Sequence, residues 1–203
     1  MDELNALLKT VGLAKVRADA GFSRVGRRLK AEDPADRALM ILAARAVSAG
    51  NALMVLCREG HPNESLPLLR AVAEFALAMR WISAADAPKR AAETLAALDK
   101  PEWDALWPAG RARERAQSFG VPAAAVAAAL DSAADFSRGN AQGLPWGHAF
   151  SDAARPGRKA DETLAAAAVW LALALEALDR RWPGEFPGAA EMRDGAQISR
   201  GQS

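Results

Sequence analysis

Two segments carry residues whose types and spacing could do chemistry. In NESLPLLRAVAEFALAMRWI (63–82), Arg70 and Glu74 interrupt a run that is otherwise almost wholly apolar. At about 100° per residue, Asn63, Arg70, Glu74 and Trp81 fall in one narrow stripe of a helix. Leu68, Val72, Phe75, Met79 and Ile82 cover the opposite side. Neither side reads as a solvated face, so both charges are expected against other helices. Burying a charge is costly unless it is paired and hydrogen-bonded. At positions i and i+4 the two can pair with each other, which makes a structural ion pair. The sharper expectation is a ligand-binding wall of Arg70, Glu74 and Trp81. There the planar guanidinium receives a small polar or anionic ligand through two oxygens at once.

The second segment is LPWGHAF (144–150), in a Gly- and Pro-rich stretch that begins near Arg138 and Asn140. A long loop inside a helical domain often carries function. His148 is the candidate acid or base near neutral pH. Trp146 could wall the ligand from water. The plainer alternative has Trp146 and Phe150 anchoring the loop while His148 caps a backbone group. His61, in the turn before Pro62, reads as structural or exposed, and Glu64 as a helix-start acid.

Other chemistry finds little support. Cys57 is the only cysteine and there are two histidines, so thiolate clusters and histidine-rich metal sites are not expected. There is no Glu-x-x-His pair, no His-Glu-x-x-His run and no Gly-Lys-Ser/Thr phosphate loop. We therefore expect no metal and no cofactor. Twenty-six basic side chains against 25 acidic ones leave a formal charge of +1. That balance gives no bulk attraction to nucleic acid or an anionic membrane. Arg111, Arg113 and Arg115, and the cluster from Arg24 to Lys30, read as solvated faces. The remaining partners are a small polar ligand or another protein.

The elements that must position these residues are helices. Ala dominates the apolar 51%, Tyr is absent and β-branched residues are few. The pattern predicts helices over about 2–30, 35–59, 63–84, 88–99, 101–118, 122–137 and 160–182. Asp33-Pro34 opens the second, Gly60 ends it, and Asn63 is the expected N-cap of the third. Short turns between long helices predict an all-α, up-and-down antiparallel bundle of about six or seven helices. Residues 1–182 form one domain, and 183–203 a tail expected to be disordered. The Ala-rich stretches at 122–134 and 163–178 permit close helix approach. LAAAAVWLALALEAL is apolar on nearly all sides, which places it in the core or at a homodimer interface. The amphipathic, charged N-terminus is unlike a signal peptide, and outside that Ala-rich stretch no apolar run is long enough to span a membrane. The expected setting is cytoplasmic.

The Leu-Leu-Arg-x-x-x-Glu helix, followed by a later loop histidine, resembles a group of uncharacterised bacterial all-helical proteins over about 39–82 and 138–182. That resemblance implies that Arg70, Glu74 and His148 converge. A second resemblance is to HEPN-type helical domains, many of them metal-independent ribonucleases of toxin and defence systems. It rests on Arg138-Gly139-Asn140 ahead of His148, at a longer interval than in that family. It implies His148 as acid/base and Arg138 as a phosphate contact.

Overall fold

The computed structural model describes residues 3–98, 109–132 and 158–198. Arg138, Trp146 and His148 lie outside the described residues. Eight α-helices and no strand occur within them: α1 Glu3–Val25, α2 Pro34–Arg58, α3 Leu66–Ile82, α4 Ala87–Ala97, α5 Ala109–Ser118, α6 Ala123–Val126, α7 Arg158–Arg181 and α8 Ala189–Ile198. A 3-10 turn, Gly26–Arg28, follows α1, and a π-helical turn, Ala127–Ser132, continues α6. The all-α bundle is as the sequence predicts.

Local chemistry sets the boundaries. Asp33 caps α2 by accepting from the Ala35 and Asp36 N–H groups, with Pro34 at the first helical position. Gly60, at φ 86°, takes the left-handed conformation that ends α2. The start of α3 is later than expected. Asn63 and Glu64 belong to the preceding turn, and Ser65 stands at the N-cap without a side-chain capping bond. Its hydroxyl instead donates to the Pro62 carbonyl at 2.6 Å, closing the turn.

Helix α7 is the centre of the fold. Its residues from Leu164 to Leu175 are all buried, and α1, α2, α3 and α8 pack on it. The run that is apolar on all sides is thus enclosed within the chain's own core. Gly50 of α2 lies so close to α7 that an added Cβ would meet Leu171 at 3.1 Å. Trp170 donates its indole N–H to the Ala125 carbonyl at 3.1 Å, fixing α6 to α7.

Contacts at the helix ends define direction. Arg181, ending α7, pairs with Asp33 and Asp36 at the start of α2. Phe22, near the end of α1, meets Trp182 and Phe186 edge-on at 6.2 and 5.1 Å. Helices α1, α3 and α7 therefore end together, with α2 antiparallel to them, and α4–α6 make the return between α3 and α7. Where a disordered tail is expected after 182, Phe186, Met192 and Ala196 are buried and α8 lies on α7 and α1. Gly21 admits the Phe186 ring, which a Cβ there would meet at 2.3 Å.

The Arg181 clamp generates a prediction. The Asp36 side chain is 3% exposed and depends on Arg181 at 2.7 Å. Burial alone would raise the Asp33 carboxyl, but the Ala35 N–H, the Arg181 charge and the Asp36 N–H outweigh it and hold it below its ordinary value of 3.8. Arg181→Met should cost about 2–3 kcal/mol at neutral pH, by leaving Asp36 buried without its guanidinium. A group with a lowered folded pKa contributes stability above its unfolded pKa and loses it as pH falls through the folded one. The gap between wild type and variant should therefore shrink below about pH 4, as denaturant unfolding at a series of pH values would show.

Candidate functional site

Arg70 and Glu74 form the ion pair that their spacing allows, Nε to Oε1 at 2.8 Å. Their side chains are 34% and 14% exposed, so the pair sits at the edge of the core rather than in a sealed interior. Trp81 shares their stripe but lies 11 residues further along, roughly 16 Å up the helix axis. The stripe is thus real, but it does not gather Arg70, Glu74 and Trp81 into one pocket. Whether His148 and Trp146 join Arg70 falls outside the described residues. His61 is exposed as expected, its Nδ1 4.0 Å from Glu64. Cys57 is buried, with Sγ 3.5 Å from the Ser65 hydroxyl, and burial pushes its thiol up, away from the reactive thiolate. Among the described residues no group of three or more His, Cys, Asp or Glu could hold a metal ion.

The polar centre that does form lies at the other end of α3. Two guanidinium groups lie over the Trp81 ring, with the Arg90 and Arg115 Cζ atoms 5.0 and 4.9 Å from its centroid. Arg90 also donates to the Trp81 carbonyl at 2.6 Å, which fixes α4 against the end of α3. One turn beyond Arg115, Phe119 receives Arg80 of α3, Cζ at 4.8 Å from the ring. The end of α5 thus lies across the end of α3, with Arg115 over Trp81 and Arg80 over Phe119. Guanidinium over an aromatic face is an attractive arrangement that leaves the edge donors available to oxygen ligands.

Positive charge accumulates here. Burial and then Arg180 push the Arg80 guanidinium toward the neutral form, and Arg193 adds to this. Among the described residues, Glu176 opposes it. Glu176 is already engaged by Arg193 at 2.8 Å. The Arg80 Nη1 is buried without a hydrogen-bond partner. Arg115 is depressed likewise, by burial and then by Arg111 and Arg90. At the same end of the bundle Arg24 and Arg28 share Glu185, and Arg181 has Asp33 and Asp36.

Sequence reasoning singled out Trp81 but not its arginines. Arg111 and Arg115 read as solvated, and only the packing of α5 over α3 brings Arg115 to the indole. The available signal was the Arg80-Trp81 pair closing an otherwise apolar helix.

A family of unknown function (DUF5677) matches residues 36–132, from the first turn of α2 to the π-helical turn after α6. This agrees with the expectation of an uncharacterised helical family, and the matched segment holds Arg70, Glu74, Arg80, Trp81, Arg90 and Arg115. No curated protein and no solved structure matches the chain.

A partly exposed i,i+4 pair contributes little. Arg70→Ala should leave the fold intact and cost less than about 1 kcal/mol, measured by urea unfolding. A loss comparable to that of a buried ion pair would show Arg70 to be a core element.

Proposed function

We propose that this protein is an anion-binding helical bundle whose site is built by Arg80, Arg90 and Arg115 on the faces of Trp81 and Phe119. One observation carries the proposal. Arg80 and Arg115 lie over neighbouring aromatic rings, with Arg180 and Arg193 acting on Arg80 and Arg111 and Arg90 acting on Arg115, and the carboxylate acting on Arg80, Glu176, is already held by Arg193. Mutual repulsion of this kind destabilises the unliganded protein and is relieved by a bound anion. Guanidinium groups held over aromatic rings are also preorganised, so less freedom is lost when their donors meet oxygen. A small ligand carrying phosphate or several carboxylates fits this chemistry. The site anticipated at Arg70 shifts along α3 to its last turn, while the ligand class stays as anticipated.

The hydrolytic alternative, a HEPN-like ribonuclease, depends on Arg138 and His148, and the described arginine cluster supplies no acid or base for it. It enters as an outcome of the test. Pyrophosphate should raise the melting temperature of the wild type by about 5 °C at a hundredfold excess over Kd, against sodium chloride at matched ionic strength. Arg115→Met and Arg80→Met should lose that shift, whereas Arg70→Ala should keep it. Arg80→Met should also leave the unliganded protein no less stable, because it removes the unpartnered buried Nη1. Equal shifts in wild type and both methionine variants would overturn the proposal. RNA cleavage by the wild type that His148→Ala abolishes would favour the ribonuclease instead.

A further inference from the structure

Helix α2 has an outer face that the described helices leave uncovered. The helix is long and apolar enough to cross a membrane by length and composition, yet only 33% of its most apolar stretch is buried. Met40 and Val55 are 39% and 43% exposed. Beside this face a groove of about 520 Å³ opens between α1 and α2, with Lys15, Asp19 and Phe22 on one wall and Met40, Val47 and Asn51 on the other.

The order of residues on that face says what covers it. Arg37, Ile41, Ala44, Ser48, Ala52, Val55 and Glu59 are spaced 4, 3, 4, 4, 3 and 4 apart, and all are exposed or half-buried. They share an arc of roughly 80°. The series is a palindrome about Ser48. Positions equidistant from it carry small residues (Ala44 and Ala52), then β-branched residues (Ile41 and Val55), then opposite charges (Arg37 and Glu59). An antiparallel copy of the same helix would therefore meet it with matched size at the inner steps and opposite charge at the outer one. Small residues at the centre allow the two backbones to approach closely.

We propose that α2 pairs antiparallel with α2 of a second copy, with the two-fold axis at Ser48. Ala44 then faces Ala52 of the second copy, Ile41 faces its Val55, and Arg37 faces its Glu59. This is the isologous geometry of a two-fold dimer, in which residue i meets j and j meets i. A lipid bilayer would also cover an apolar face, but it has no use for charges of opposite sign set symmetrically at the two ends. The dimer surface is independent of the anion site, which lies on α3, α4 and α5.

Sedimentation velocity of the full chain tests this, with variants confined to exposed positions. The wild type should run as a dimer. Arg37→Glu or Glu59→Arg alone should shift it to monomer, and the double charge exchange should restore the dimer. Under mild oxidation Ser48→Cys should link to itself. Ala44→Cys alone should not, but Ala44→Cys mixed with Ala52→Cys should. The native Cys57 is buried and serves as the silent background. A monomer at every concentration overturns the proposal, as does self-linking of Ala44→Cys, which would mean a parallel pair. Flotation with phosphatidylcholine–phosphatidylglycerol vesicles by a protein that stays monomeric would assign the face to lipid.

Discussion

The close approach of helices to α7 is the constraint on which the rest of the structure depends. A helix buried on all sides must be met on all sides, and alanine makes that possible by letting neighbouring backbones come near. Gly50 against Leu171 and Trp170 bonded to the Ala125 carbonyl are two places where that approach is tight. Because α3 and α7 run in the same direction, their C-terminal turns lie side by side. The last turn of α3 carries Arg80 and that of α7 carries Arg180 and Arg181, the common placement of basic residues at helix ends. Packing for the sake of the core thus concentrates positive charge at one end of the bundle.

That end contains two kinds of arginine. Arg181 has two carboxylates within bonding distance, and it ties the start of α2 to the end of α7. Arg24 and Arg28 share Glu185. These are structural pairs. Arg80 differs, since its guanidinium lies over Phe119, its Nη1 is buried without a hydrogen-bond partner, and Arg180 and Arg193 act on it against Glu176, while Arg115 lies over Trp81 with Arg111 and Arg90 acting on it. The anion-binding proposal rests on that difference.

Much of the fold was legible in the sequence. Asp33-Pro34 and Gly60 mark the ends of α2 through capping and positive-φ chemistry, and both act as their residue types dictate. The ion pair of Arg70 and Glu74 follows from helical spacing alone. What escaped was non-local. Asn63 looks like a cap, but the turn is closed by Ser65 onto Pro62, so the helix starts later. Pro183-Gly184 signals a chain end, yet Phe186 has a slot cut for it by Gly21, a residue more than 160 positions away. The run Arg111–Arg115 has no apolar partner in its own segment. Its meeting with Trp81 depends on the return path through α4 and α5. Local pattern finds elements and their ends, whereas a site assembled from three helices appears only once those helices are placed.

The central claim is that the anion site lies at Arg80 and Arg115 and not at Arg70. Arginine Nε–Hε NMR spectra, recorded while pyrophosphate is added, test it most directly. The Arg80 and Arg115 resonances should shift together and saturate at one common concentration, while the Arg70 resonance, held by Glu74, stays in place. Movement of Arg70 with Arg80 and Arg115 stationary would contradict the account and return the site to the middle of α3.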